Sequence, residues 1–245
     1  MDRLPSKRSA ANVFAVAAIA AAVAGCNSDA ASIGAPEASV AMRTPQDWYR
    51  SGQPILRSQA DAARNRIWIL TLDGVALYEA STGVKVAQIP LPGWIWVGEQ
   101  YACPPDLAIG PHGEAVISSN VVPALWRVDP VTRLASKHDL AIENDAGRDV
   151  GFSALAYSAQ QQAYFAVSPS HGSLWRIDPQ LGRAQRIPLS TSLPSACALT
   201  VPQRAPDQRA GQAVGFCVRG EEGDWTVSLA PDQRSGYVRA GQCLS

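Results

Sequence analysis

Charge of one sign is what this 245-residue chain most plainly lacks: 21 Lys and Arg stand against 21 Asp and Glu, a formal net charge of +0 at pH 7. Without a basic footprint, nucleic acid is not an expected partner. Aromatic residues make up only 7% of the chain. Helical periodicity is nearly missing between residues 50 and 245, which argues against a helical or coiled-coil domain. Catalytic signatures are scarce as well. There is no Cys-x-x-Cys, no Gly-x-Ser-x-Gly elbow, no Gly-rich phosphate loop before a helix, and no carboxylate pair at a glycosidase spacing. The histidines number three, His112, His138 and His171, and they fall in different parts of the chain's repeating pattern, so one shared metal site is not expected from them. What is present is 47% hydrophobic and 17% charged residues, enough apolar material for one large globular domain.

The first 26 residues divide into a basic start (Arg3, Lys7, Arg8), an apolar run from Ala10 to Ala24, and Val23-Ala24-Gly25-Cys26. The apolar run is short of the roughly twenty residues that a spanning helix needs, and the three-part order is that of a secretory signal. Small residues directly before a cysteine resemble the lipobox of bacterial lipoproteins. That resemblance implies a signal peptide over 1–25, cleavage before Cys26, and lipidation of Cys26, whose acyl chains hold the protein at the membrane without a further membrane-binding surface. Asn27 after the cysteine implies, in enteric-type bacteria, an outer-membrane address, on either the periplasmic or the cell-surface side. Residues 26–54, rich in Ala and Ser, are expected to be a lipidated tether, with the folded domain at 55–245.

The domain repeats itself. Leu125-Trp126-Arg127-Val128-Asp129-Pro130 recurs as Leu174-Trp175-Arg176-Ile177-Asp178-Pro179, and the strand pairs before each also correspond. A third copy lies upstream, with Arg66 to Leu70, Val75 to Tyr78 and Val84 to Ile89. A looser fourth lies downstream, from Leu199 to Cys243. Each unit has four short strands, A to D, rich in Val, Ile, Trp, Tyr and Phe and separated by turn residues. The expected fold is therefore all-β and beta-propeller-like, with about four four-stranded blades. Tyr78, Trp126, Trp175 and Trp225 hold equivalent places in strand C and are expected to pack blades together.

The order of a buried strand pair, Leu-Trp/Tyr-x-Val/Ile-Asp and a Thr-Gly-like turn resembles the repeats of YVTN, NHL and related beta-propeller proteins. The resemblance covers about residues 55 to 245 and implies architecture rather than activity. Those families usually close with six or seven blades, whereas this length accommodates four, which must close tightly or associate as an arc with a second copy.

With Cys26 given to lipid, Cys103, Cys197, Cys217 and Cys243 can form two disulfides in three pairings in an oxidising envelope. Aligning Leu199 with Leu155 puts Cys197 near the start of strand A and Cys217 near the end of strand B, so the repeat predicts Cys197–Cys217 and leaves Cys103–Cys243.

In a propeller the D–A and B–C loops share one face. Trp94, Trp96, Glu99, Tyr101, Asp145 and Asp149 from D–A loops and Asn120 and His171 from B–C loops make an acidic, aromatic face and are the candidate binding residues, suited to an envelope protein or a glycan. No catalytic residue and no cofactor is expected on the leading reading, that of a binding or scaffold module. The alternative is a metal-dependent hydrolase. A resemblance to propeller lactonases would imply Glu99, Asp106, Asn120 and Asp149 as oxygen ligands for Ca²⁺ or Mg²⁺. Exposed outer strands also leave edge-to-edge pairing of two copies as an expectation.

Overall fold

A computed structural model describes residues 54–95, 103–142, 150–193, 196–201, 215–220, 223–230, 232–241 and 243, all within one compact unit spanning Ala41–Ser245. The expected signal segment, Cys26, most of the tether, and Trp96, Glu99, Tyr101, Asp145 and Asp149 lie outside the described residues.

Sheet I contains β1 (Ile55–Asp61), β2 (Arg66–Thr71), β3 (Gly74–Glu79) and β4 (Lys85–Ile89). Sheet II contains β5 (Leu107–Ile109), β6 (Ala115–Ser118), β7 (Ala124–Val128) and β8 (Ala135–Asp139). A short β9 (Ala141–Ile142) then leads to sheet III, made of β10 (Ala154–Ser158), β11 (Ala163–Ser168), β12 (Ser173–Ile177) and β13 (Arg183–Ile187). Sheet IV contains β14 (Ala196–Thr200), β15 (Gly215–Gly220), β16 (Gly223–Leu229) and β17 (Gly236–Ala240). Within each sheet the four strands pair antiparallel in chain order, and the four sheets form a four-bladed propeller. The only described helix is a 3-10 turn at Ala62–Arg64. β9 departs from the four-strand unit by pairing parallel with β13, which covers part of an edge that would otherwise be open to a neighbouring strand.

The Asp-Pro pairs of the repeat have a physical role in the C–D turns. Asp129 Oδ1 accepts from the N–H groups of Val131 and Thr132, each at 2.7 Å, and Asp178 Oδ1 accepts from Gln180 N–H at 2.9 Å. Each turn then needs one left-handed residue, found at Arg133 (φ 59), Leu181 (φ 61) and Gln233 (φ 58), with Gly83 (φ 70) in sheet I. An Asx turn followed by a left-handed residue returns the chain antiparallel, and only the sheet I copy uses glycine for it.

The strands alternate, so sheets I, II and III bury both faces, whereas the described core residues of sheet IV all lie on the face toward sheet III. Trp68, Leu70, Val75 and Leu77 of sheet I meet Ile117, Trp126 and Val128 of sheet II. Val116 and Leu125 of sheet II meet Tyr164, Trp175 and Ile177 of sheet III. Phe165, Val167 and Leu174 of sheet III meet Phe216, Val227 and Leu229 of sheet IV, with the Phe165 and Phe216 rings 4.5 Å apart. Trp126, Trp175 and Trp225 all face the preceding sheet, as their common place in the repeat predicts. Arg127, one residue on from Trp126, donates through Nη2 to the Pro179 carbonyl and ties sheet II to the C–D turn of sheet III.

The disulfides depart from the sequence prediction. Both are present, but the pairs are Cys103–Cys197 and Cys217–Cys243. In the β14–β15 ladder Cys217 faces Thr200, and Cys197 sits in a register shift between Ala196 and Ala198, near Arg219 and Gly220. Cys217 is the third residue of β15 and pairs with the end of β14, so the ladder sets Cys197, near the start of β14, about three positions away from it and out of reach of a bridge. Alignment of the units put Cys217 near the end of strand B, whereas it lies near the start of β15.

Candidate functional site

The first strands of the four sheets, β1, β5, β10 and β14, surround the propeller axis. Where they begin, a polar layer ties all four together around Asp106. This carboxyl precedes β5 and is buried. Its Oδ1 accepts from Leu107 N–H at 2.8 Å and lies 3.3 Å from Arg57 Nε of β1. Its Oδ2 accepts from Leu155 N–H of β10 at 2.8 Å. Arg57 also donates through Nη2 to the Cys197 carbonyl of β14 at 2.7 Å. The Cys103–Cys197 disulfide, with Cα atoms 5.1 Å apart, crosses the same level from the segment before β5 to β14.

Burial dominates the electrostatics of this layer. Desolvation raises the Asp106 pKa from its usual 3.8 to about 6, against the opposing pull of Leu155 N–H and Arg57. A carboxylate with its oxygens committed to two peptide N–H groups and a guanidinium acts first as a clamp on the blades.

From this layer a cavity of about 820 Å³ runs along the axis, bordered by all four first strands. Arg57 and Asp106 lie at its base. Gln59, Tyr157, Gln160 and Thr200 border it toward the A–B turns. The Tyr157 ring is backed by Tyr164 at a centroid distance of 4.9 Å. Tyr164 in turn donates to Glu114 Oε1 at 3.3 Å, and burial, then the Glu114 charge, push its phenol above the ordinary range. Glu114 also accepts from His112 N–H at 2.8 Å. A second polar tie at the A–B end joins Arg64 to Asp61 at 3.1 Å and to the Pro111 carbonyl at 3.0 Å, so sheets I and II are linked there as well.

Of the binding residues named from sequence, three are described, and the structure does not gather them at the cavity. Trp94 is half-buried against the cluster between sheets I and II, near Pro92, whose carbonyl accepts from Trp126 Nε1 at 2.8 Å. Asn120 is buried and donates through Nδ2 to the Cys103 carbonyl at 3.0 Å, and its backbone closes so tightly on Gly151 that a Cβ there would meet Asn120 C at 2.0 Å. His171 is exposed in the β11–β12 turn. For the alternative metal set, both Asp106 oxygens and Asn120 Nδ2 are engaged in the contacts above, and Glu99 and Asp149 lie outside the described residues. No group of three or more His, Cys, Asp or Glu positioned for a metal occurs among the described residues.

Sequence reasoning missed Arg57, Gln59, Tyr157, Gln160 and Thr200. They share one usable signal, membership of strand A or its turn. That position gains meaning only once the four A strands are known to surround one axis.

No family model matches the chain, and no curated protein matches it. Solved structures do. The chain is similar to U3-55K (TM-score 0.52, 14% identity, covering 78% of this chain and 53% of that one). It is also similar to streptogramin B lyase (TM-score 0.51, 13% identity, 76% and 54%). A third likeness is to a catalytically inactive virginiamycin B lyase from Staphylococcus aureus with quinupristin (TM-score 0.50, 13% identity, 71% and 52%). At these identities the likeness establishes a beta-propeller fold, and the chain spans about half the length of each of these three structures.

Proposed function

We propose that the chain is a lipid-anchored protein of the bacterial envelope whose propeller binds a partner rather than transforming it. The lipobox-like Val23-Ala24-Gly25-Cys26 supports the anchor, with acyl chains on Cys26 holding the domain at the outer membrane and the Ala- and Ser-rich tether giving it reach. The axial cavity carries the binding reading. It is of ligand size, and Asp106, the strongly shifted carboxyl along it among the described residues, is occupied by Leu107, Leu155 and Arg57. An acid or base meant for a substrate needs a free lone pair or proton aimed at the reacting atom. YVTN- or NHL-like repeats fit the same role, because they build a rigid ring that presents loops.

The test is expression in a Gram-negative host with labelled palmitate, followed by membrane fractionation of wild type and Cys26→Ser. Label and outer-membrane recovery in the wild type, both lost in the variant, would support the anchor. A wild-type chain that is unlabelled and recovered away from membranes would defeat it. The lipidated protein then serves as bait for native envelope extracts, with Trp94→Ala/Trp96→Ala testing the D–A face. Retention of a defined envelope component supports a binding role. Turnover of a lactone or ester that is abolished by chelation would replace that role with the hydrolase.

A further inference from the structure

We propose that the axial cavity is a blind cup that takes a neutral, polyhydroxylated ligand of saccharide type through the A–B face of the propeller. This rests on the binding reading above and names its site and ligand class. The base of the cup is the layer at the starts of the A strands, where the Cys103–Cys197 disulfide and the Arg57–Asp106 pair join the four sheets. A ligand therefore has the opposite end, bordered by Gln59, Gln160 and Thr200, as its entrance.

The chemistry of the wall follows from strand register. Leu155 N–H points away from β11 to reach Asp106. Alternate peptide groups of a strand point the same way, so the Tyr157 peptide group, two residues on, also faces the axis. An edge of this kind offers peptide donors and acceptors with no net charge. The side chains that border the cup above its base, Ser58, Gln59, Ser158, Gln160 and Thr200, are likewise neutral donors and acceptors. Among the described residues, the two charged ones that line it, Arg57 and Asp106, neutralise each other at the base. A charged ligand would lose its hydration and find no free counter-charge among the described residues, whereas hydroxyl groups can give to and accept from these neutral side chains and peptide groups. The Tyr157 ring, stiffened by Tyr164 behind it, supplies the apolar surface on which a sugar ring's C–H face can rest.

The experiment is calorimetric titration of the full-length lipidated chain in detergent. The probes are a panel of neutral mono- and disaccharides (gluco, galacto, manno and N-acetyl types) and the matching uronic acids. Binding of at least one neutral sugar is expected, weakened about tenfold or more in its uronic counterpart and in Gln59→Ala/Gln160→Ala. Thr200→Trp, an exposed position on a strand that tolerates aromatics, is expected to block entry while the melting transition stays in place. Absence of binding across the neutral panel overturns the proposal, as does equal binding of the uronic acids or undiminished binding in folded Thr200→Trp. Those outcomes leave the palmitate, fractionation and envelope-capture results standing on their own, so failure of the ligand class is separable from failure of the anchored binding role.

Discussion

The seam between sheets III and IV and the junction between sheets IV and I are held by different chemistry. At the first, Phe165, Val167 and Leu174 interdigitate with Phe216, Val227 and Leu229, and all six are essentially inaccessible. At the second, the buried face of sheet I gathers Ile67, Ile69, Ala76 and Tyr78 with Ile55 and Ala80 around them. It draws no described apolar residue from sheet IV. Among the described residues, the Arg57 bond to the Cys197 carbonyl joins β1 to β14. The difference has a topological origin. Every sheet is built from strands contiguous in the chain, so no described strand is shared between the first and last blades. Closure then falls to ties at the axis, and the Cys103–Cys197 bridge spans 94 residues at the same level as the Asp106 clamp.

The largest effect should come from an apolar seam. Phe165→Ala removes a fully buried ring and its Phe216 partner contact, and a loss of about 3–5 kcal/mol in denaturant unfolding is expected. A loss below about 1 kcal/mol would mean that the seams matter no more than the axial ties.

Next come the disulfides. Cys103→Ser/Cys197→Ser should cost about 2–4 kcal/mol and should exceed Cys217→Ser/Cys243→Ser by about 1 kcal/mol, because closing 94 residues constrains the unfolded chain more than closing 26. Equal midpoints for the two double variants would show that closure at the axis carries no special weight.

The Asp106 clamp makes a pH-dependent contribution of opposite sign to that of an ordinary paired carboxylate. Its pKa is raised from 3.8 to about 6 on folding, so between those values the folded chain keeps a proton that the unfolded chain has released. Stability from this group is therefore full below about pH 4, falls as pH rises to about 6, and is level above. The span is on the order of 3 kcal/mol. Asp106→Asn should flatten that slope relative to wild type in melts taken from pH 4 to 7, and a wild type whose excess stability grows across the window would reverse the assignment.

The smallest effect serves as the reference. Lys137 and Asp139 form a 2.7 Å ion pair on the outer strand β8, with side chains 38% and 78% exposed, and Lys137→Ala should change stability by no more than about 0.5 kcal/mol.

The repeat was legible in the sequence because each blade solves the same local problem. The Leu-Trp-Arg-Val/Ile-Asp-Pro motif joins a strand whose aromatic packs on the preceding sheet to an aspartate that caps the next turn. The cysteine pairing was not legible, because it depends on the β14–β15 register, which pairs Cys217 with Thr200 rather than with Cys197, and nothing in the local residues announces that offset. Nor was the partnership of Arg57 and Asp106, residues with no shared motif and 49 positions apart in the chain.

The sequence by itself determined the all-β class, the four four-stranded units, the strand C aromatics as packing residues, and the involvement of Cys103, Cys197, Cys217 and Cys243 in disulfides. All of these follow from alternation, turn chemistry and counting. Only the tertiary structure decided which cysteines meet, that Asp106 is a buried clamp, and that the A strands enclose a ligand-sized cavity. These depend on how four separate sheets converge on one axis, a relation set by long-range packing that no stretch of neighbouring residues encodes.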